Sequence, residues 1–295
     1  MTDPADSRVC WPDRAWHGAV TVTENVPMAR DTYRVRFDSP ELAARVRPGQ
    51  FLMLRLAGLD DPLLGRPLAL YDTVRDASGK PTGVDVVYLV MGKLTSRLRD
   101  YRAGQKLEVW GPLGNGFSLT PAEHLIMVAG GIGQTPFVAL GARYLGKRGY
   151  GEAELSTPVG PLAKRVTLCY GARTRDYLAG LPDFETLGVD MRVSTDDGTA
   201  GHHGLVTAVL EKTLAETAGP CRIACCGPEP MLAAVSKIAL ARKIPCEVSL
   251  ETPMACGIGI CFSCVAKVKA DTPEGWDYRR TCIEGPVFEA AELVF

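Results

Sequence analysis

The run ETPMACGIGICFSCVAKV places Cys256, Cys261 and Cys264 within nine residues, and seventeen residues separate Cys264 from Cys282. The spacing C-x4-C-x2-C with a distant fourth cysteine is the ligand spacing of a plant-type [2Fe–2S] cluster. Thiolates are soft donors suited to iron–sulfur centres, and Gly257 and Gly259 let the backbone wrap tightly enough for three sulfurs to converge. A structural zinc knot or a set of buried cysteines is the competing reading. Zinc sites usually pair their ligands as two short clips, whereas here three stand in one loop and the fourth alone. A disulfide framework suits a chain of 295 residues poorly. The spacing therefore favours Cys256, Cys261, Cys264 and Cys282 as cluster ligands, and the chemistry expected is electron transfer.

Three further groups could carry chemistry. Gly130-Gly131-Ile132-Gly133-Gln134-Thr135-Pro136 follows the apolar run LIMVA and precedes a helix-like stretch. Glycines there let the backbone approach a pyrophosphate, and a helix N-terminus offers unpaired N–H groups; Pro136 is tolerated in a first helical turn. A tight strand-to-helix corner uses the same residues without a ligand, so both readings stand. In Gly65-Arg66-Pro67-Leu68-Ala69-Leu70-Tyr71, an arginine fork beside proline can grip a diphosphate, or the arginine is simply solvated at a turn. Cys226-Gly227-Pro228-Glu229-Pro230-Met231 closes the apolar strand CRIAC, where open α/β sheets bind ligands. The alternative is a buried cysteine before a helix-starting Gly-Pro turn.

These residues need a scaffold, and the chain changes rhythm twice. Residues 1–16 carry no apolar period and read as an N-terminal extension. Over 17–119, short runs such as AVTVTENV, YRVRFDS, QFLMLRLA, VDVVYLVMG and KLEVWGP are separated by Pro, Gly and Asp, which predicts a small antiparallel barrel. Over 120–249, apolar strands alternate with helical stretches such as TPFVALGARYL, HGLVTAVLEKTLAE and EPMLAAVSKIALARK, which predicts a doubly wound parallel sheet. The Gly-, Pro- and charge-rich stretch 147–165 reads as a surface excursion. Residues 250–295 form a small cysteine-bearing subdomain. The expected class is therefore β plus α/β.

Composition bounds the partners. A net charge of −1 argues against nucleic acid or an anionic membrane. Apolar stretches are broken by glycine and proline, so no membrane span is expected. Of ten cysteines, six fall outside the cluster motif, and most of these lie in strand-like runs as small hydrophobes. With no secretory leader read at its start, a reducing cytoplasm is the expected compartment.

In order, Arg66-Pro67-Leu68-Ala69, Gly92-Lys93-Leu94-Thr95, Gly111-Pro112-Leu113-Gly114-Asn115-Gly116-Phe117, Gly130 to Pro136 and Cys226-Gly227-Pro228 resemble the ferredoxin-NADP reductase superfamily. MACGIGICFSCVAKV, TCIEGPVF and TDDGTAGHHGLVT resemble, within it, the electron-transfer subunits of two-subunit, NAD-dependent dihydroorotate dehydrogenases. The resemblance covers nearly the whole chain. It implies FAD on the barrel, NAD on the α/β sheet and one [2Fe–2S] cluster. It further implies that Arg66, Pro67, Leu68, Ala69, Val87, Tyr88, Leu89, Leu94 and Thr95 line the FAD, and that Gly130, Gly131, Gly133, Thr135, Cys226, Gly227 and Pro228 border the NAD, with Cys226 beside the nicotinamide. Ala69 replaces a usual Ser or Thr and Leu94 a usual Gly. The first change is expected to remove a hydrogen-bond donor near the flavin and the second to reshape the pyrophosphate cradle.

By the same resemblance no side chain of this chain is catalytic. A partner subunit carrying FMN oxidises dihydroorotate in pyrimidine biosynthesis, in a heterotetramer, and electrons pass through the cluster and FAD to NAD+. Met254, Ile258, Ile260 and Phe262 either form a docking face or pack inward over the cluster, and inward packing is favoured. The alternatives are a diaphorase subunit of a hydrogenase, a sulfide dehydrogenase or a ferredoxin:NAD(P) oxidoreductase, and a non-catalytic redox sensor. Arg173, Thr174 and Arg175 stand where NADP-specific relatives hold a 2′-phosphate, although the family expectation is NAD.

Overall fold

The computed structural model describes residues 11–295, so most of the expected N-terminal extension lies outside the described residues. Six strands, β1 (Trp16–Ala29), β2 (Thr32–Asp38), β3 (Phe51–Leu56), β4 (Arg66–Arg75), β5 (Pro81–Leu89) and β6 (Lys106–Leu113), close into an antiparallel barrel in the order β1-β2-β5-β4-β3-β6. Successive side chains of a strand point to opposite faces. In β3, Leu52, Leu54 and Leu56 fill the barrel core, while Phe51 and Met53 face outward onto Leu113, Cys264 and Cys282. That strand is buried on both faces, which is why its sequence shows an apolar run instead of alternation. Two helices of six residues each, α1 (Pro40–Arg45) and α2 (Lys93–Leu98), sit in barrel connections. They are too short for a helical period to show in sequence.

The second unit is a sheet of seven strands in the order β10-β9-β8-β7-β11-β12-β15. Its parallel members are β7 (Ala122–Gly130), β8 (Ala163–Ala172), β9 (Asp190–Thr195), β10 (His202–His203), β11 (Cys221–Cys226) and β12 (Cys246–Ser249). Helices α3 (Phe137–Tyr144), α4 (Glu152–Leu155), α5 (Leu181–Leu187), α6 (Val206–Ala215) and α7 (Glu229–Ala241) lie between the strands in sequence. Every residue of α3 is buried. The chain winds from β7 to β8 on one side and later returns to lay β11 on the other. The crevice between β7 and β11 is therefore the switch point of the sheet.

Residues 250–295, expected as a small separate unit, hold a hairpin, β13 (Val265–Lys269) with β14 (Trp276–Arg280), and then β15 (Val287–Glu289), which pairs antiparallel with β12. The hairpin spans the interval between Cys264 and Cys282.

Stretch 147–165 lies mostly at the surface, as its composition suggests, but is anchored to the barrel. Tyr150 is buried and its hydroxyl donates to Asp72 Oδ1 of β4 at 2.7 Å. Arg148 pairs with the same carboxylate, and Arg143 of α3 binds Glu154 at 2.8 Å. A polar-looking segment thus clasps the barrel to the sheet, because Tyr150 and Arg148 both find Asp72 there and Glu152 finds Arg45.

At the opposite end of β7, His124 is buried, with Nε2 2.8 Å from Thr167 Oγ1 and Nδ1 3.2 Å from Thr217 Oγ1. Burial, then the Arg165 charge, lower its pKa from 6.5 to about 4, against the opposing pull of Asp190. The unfolded chain therefore takes up this proton first as pH falls. The stabilisation from a neutral His124 is complete above about pH 6.5 and is lost toward pH 4, a change on the order of 2–3 kcal/mol. Denaturant unfolding between pH 7 and 4 should show this loss, and His124→Asn should flatten that part of the profile.

Candidate functional site

The β7–β11 crevice is built from backbone contact. A Cβ placed on Gly133 would lie 2.2 Å from the Cys226 carbonyl oxygen, and one on Gly130 2.8 Å from Pro228 Cδ. Gly130 ends β7, Gly131 to Gln134 form a 3-10 turn, and Thr135 and Pro136 lead into α3. Gly131 has φ +54° with open space at its Cβ position, whereas Gly133 and Thr135 are buried. Across the crevice, Cys226 is half-buried at the end of β11, Gly227 abuts Gly130, and Pro228 precedes α7. The sequence-derived nucleotide residues thus meet at the switch point. Burial pushes the Cys226 thiol up to about 12, against a hydrogen bond with Ser249, so the sulfur stays protonated.

On the barrel, β4 and β5 pair from Arg75 and Pro81 as far as Leu70 and Val86, where their pairing ends. Residues 66–69 and 87–89 therefore border the place where the two strands part. Pro67 and Ala69 are register partners of Met53 and Phe51, which puts them on the outward face. Arg66 is exposed and donates from Nη1 to the carbonyls of Leu64 and Gly65. Val87 and Tyr88 are buried, and Tyr88 stacks on Tyr33 and donates to Asn25 Oδ1 at 3.1 Å. These two offer a ligand their backbone, since their side chains are engaged in the core. Leu89 is half-buried beside them. Thr95 Oγ1 accepts from the N–H groups of Met91 and Gly92, both at 3.1 Å, and so closes the start of α2. Leu94 corrects one expectation: its side chain is packed in the barrel core and does not stand in the gap.

The cysteine loop lies against the outward faces of β3 and β6. Gly257 and Gly259 have φ of +73° and +81°, and a Cβ on Gly257 would lie 2.6 Å from Met53 Cγ. Both glycines are therefore required by conformation and by close approach. Cys264 and Cys282 are buried in the layer with Phe51, Met53 and Leu113, Cys256 is half-buried, and Cys261 is exposed. Hydrogen bonds from Ser263, then from Cys256, hold the Cys261 thiol down at about 6. Burial, then a hydrogen bond with Cys264, pushes the Cys282 thiol up to about 12. Cys261 Sγ lies 3.2 Å from Ser263 Oγ, and the Ile258 N–H donates to Cys256 Sγ at 3.4 Å. Among the described residues no three His, Cys, Asp or Glu side chains are gathered for a single metal ion. Cys256, Cys261, Cys264 and Cys282 are all free, and four thiols are the number that a two-iron cluster takes, two at each iron.

Ile258, Ile260 and Phe262 are 37%, 73% and 62% exposed, which overturns the expectation of inward packing; Met254 alone packs onto the buried layer. Phe262 itself adopts φ +55°, with the Arg280 guanidinium 4.8 Å from its ring centre and Arg280 Nη1 donating to the Gly259 carbonyl at 3.0 Å.

Three features escaped the sequence reading. Trp110 Nε1 donates to the Cys256 carbonyl at 3.0 Å. Tyr71 donates to Asp183 Oδ2 at 2.5 Å, joining β4 to α5. Gln134 is fully buried beside that pair with neither side-chain polar atom partnered. A tryptophan one residue before Gly-Pro-Leu-Gly, at an outward strand position, was the available signal for the first. Tyr71 and Asp183 are distant in sequence, and the burial of Gln134 leaves no local pattern.

Comparison with known proteins agrees with this geometry. Residues 127–237 match the family described as the oxidoreductase NAD-binding domain, and residues 251–294 match the iron-sulfur cluster binding domain of dihydroorotate dehydrogenase B. A solved NADH-dependent reduced ferredoxin-NADP oxidoreductase superposes with a TM-score of 0.75 at 26% identity, covering 93% of this chain and 89% of that one. A ferredoxin NADP+ reductase from Neisseria gonorrhoeae with bound FAD and NADP shares the fold, at TM-score 0.57 and 13% identity over 76% of this chain and 91% of that one. The molecule is thus an oxidoreductase of the ferredoxin-NADP reductase fold with an iron–sulfur segment appended. The dihydroorotate dehydrogenase B (NAD(+)) electron transfer subunit of Caldanaerobacter subterraneus subsp. tengcongensis is 32% identical over 280 residues, 95% of this chain and 99% of the relative. That of Bacillus caldolyticus is 34% identical over 278 residues, 93% and 97%. The chain belongs to this family of electron transfer subunits.

The glycine contacts make a graded prediction. Gly133→Ala drives a methyl into backbone and should weaken NADH binding tenfold or more, a loss of about 1.4 kcal/mol or above, with flavin content retained. Gly131→Ala meets no atom and bears only the left-handed strain, about 1–2 kcal/mol of stability. Flavin-fluorescence titration with NADH and thermal unfolding of both variants check the order.

Proposed function

We propose that this chain passes electrons from a dihydroorotate-oxidising FMN subunit, through a [2Fe–2S] cluster held by Cys256, Cys261, Cys264 and Cys282 and through FAD, to NAD+ in pyrimidine biosynthesis. The observation that carries this reading is the two-sidedness of the cysteine loop. Cys264 and Cys282 are buried against the barrel while Cys261 is exposed at the tip. A cluster in that loop would reach from the flavin side of the molecule to its surface. When bound, FAD supplies the exchange between single electrons and a hydride.

The chain's own residues bind and orient. Residues 17–119 make the flavin unit, 120–249 the nucleotide unit and 250–295 the cluster unit. Arg66 offers an exposed guanidinium to a pyrophosphate, and Pro67, Leu68, Ala69, Val87, Tyr88 and Leu89 border the parted strands where the flavin would lie. Leu94 and Thr95 fix the turn that follows. Gly130, Gly131, Gly133 and Thr135 keep one wall of the nucleotide crevice low, and Gly227 and Pro228 form the other. Cys226, held protonated, serves as a nicotinamide neighbour and not as a nucleophile.

Ile258, Ile260 and Phe262 surround the exposed Cys261 and are the face offered to the FMN subunit, in a heterotetramer. NAD is favoured over NADP because the relatives that match nearly the whole chain are NAD(+) enzymes. The nine described cysteines are all free, which supports a reducing cytoplasm, and among the described residues no helix is long and apolar enough to cross a membrane. The diaphorase reading keeps one specific support, the 93% coverage by the NADH-dependent ferredoxin-NADP oxidoreductase structure.

Two measurements test the reading. Cys264→Ser and Cys282→Ser should abolish or alter the EPR signal of the dithionite-reduced protein; an unchanged signal at full iron content would remove that residue from the ligand set. Mixing the chain with a dihydroorotate dehydrogenase B catalytic subunit should give dihydroorotate-dependent NAD+ reduction. NADH-to-dye activity without it would transfer the assignment to the diaphorase class.

A further inference from the structure

Trp110 lies in β6 between His17 of β1 and Met53 of β3. Val109, its neighbour, points into the barrel core, so the indole points outward, where it joins the layer of Phe51, Met53 and Leu113 against the cysteine loop. Its Nε1–H donates to the Cys256 carbonyl at 3.0 Å. The other ring of the same indole closes on Gly65, where a Cβ would lie 2.6 Å from Cη2 and 3.3 Å from Cζ2. Gly65 immediately precedes Arg66. One rigid side chain therefore touches the backbone of the first cysteine of the loop and the backbone at the start of the parted strand.

Met53 reinforces the contact. It is the register partner of both Trp110 and Pro67, and its side chain fills the space that a Cβ on Gly257 would need. Pro67, Met53 and Trp110 thus form a row across three strands that backs residues 256–257. No smaller aromatic does what this indole does, since phenylalanine has no N–H and tyrosine carries its donor at the wrong edge.

We propose that Trp110 is a positioning residue that fixes the cysteine loop against the flavin strand, so that Cys256 and the Gly65–Arg66 turn keep a single separation. This rests on the reading of Cys256 as a cluster ligand and of β4 as flavin-binding. Trp110→Phe removes the donor and keeps most of the packing, whereas Trp110→Leu removes both.

The test uses the full chain purified with its flavin and iron, with two readouts. Amide hydrogen exchange at residues 256–258 should quicken about fivefold in Trp110→Phe, the worth of one neutral hydrogen bond, and more in Trp110→Leu. In stopped flow, the rate at which NADH reduces the cluster should fall in both variants relative to the rate at which it reduces the flavin. Unchanged exchange in Trp110→Phe at full flavin and iron content overturns the proposal, and so does faster exchange with an unchanged rate ratio. Loss of flavin from Trp110→Phe with faster exchange throughout the barrel also overturns it, because the indole would then hold the barrel as a whole. If Trp110→Leu does not fold, the phenylalanine variant decides. Flavin without iron in the unaltered protein would sink the cluster reading itself, while the exchange comparison still decides whether Trp110 holds the loop.

Discussion

The dry layer between the barrel and the cysteine loop is the constraint on which the arrangement depends. Phe51, Met53 and Leu113 face away from the barrel core and would be exposed to water without the loop. Burying side chains of this size stabilises a structure by about 1.5–3 kcal/mol each. The loop reciprocates with little apolar mass of its own, because two of its residues are glycines that allow backbone to lie on those side chains. Packing, hydrogen bonding and the approach of two cysteines to the barrel are therefore one event. The exposed tip is a consequence: once the inner turn is committed to the barrel, the remaining residues of a nine-residue arc must face solvent.

The two large units are joined by polar contacts between buried or half-buried groups. Tyr71 with Asp183, and Asp72 with Tyr150 and Arg148, both run from β4 to the α/β unit. Ser118 and Tyr144 add a third seam, the tyrosine hydroxyl donating to the Ser118 carbonyl at 3.1 Å. Breaking one partner of such a pair leaves the other buried and unmatched, which costs more than the bond itself contributes. Strand β4 carries both the Arg66–Ala69 segment and two of these anchors, so flavin-side and nucleotide-side geometry are set by the same ten residues.

Much of this was legible in the sequence because the signals are local. Periodicity gave the barrel strands and the βα alternation, and cysteine spacing gave the loop. The glycines of the β7 turn and of the loop proved to be where backbone meets backbone or side chain, as their placement implied. What escaped was long-range. Tyr150 sits in a stretch whose composition reads as loop, and only the fold brings Asp72 to it. The exposure of Ile258, Ile260 and Phe262 is not legible locally, because the sequence does not show that the barrel has already taken the inner face of the loop. The burial of Leu94 is equally hidden, since its position in the motif says nothing of which way a helical side chain turns.

The pairing of β12 with β15 has a further consequence. Ser249 and Val287 are register partners in adjacent strands, so everything from Leu250 to Pro286 leaves the sheet and returns to it at the same place. The cysteine-bearing segment is in this sense a closed insert on one edge of a complete sheet. An excursion whose ends are already held together bears little closure entropy at its attachment. It can lengthen, as in the β13–β14 hairpin, without disturbing the strands beneath it. Such an attachment lets the sheet carry an electron port at its edge while the strands that line the nucleotide crevice run on undisturbed.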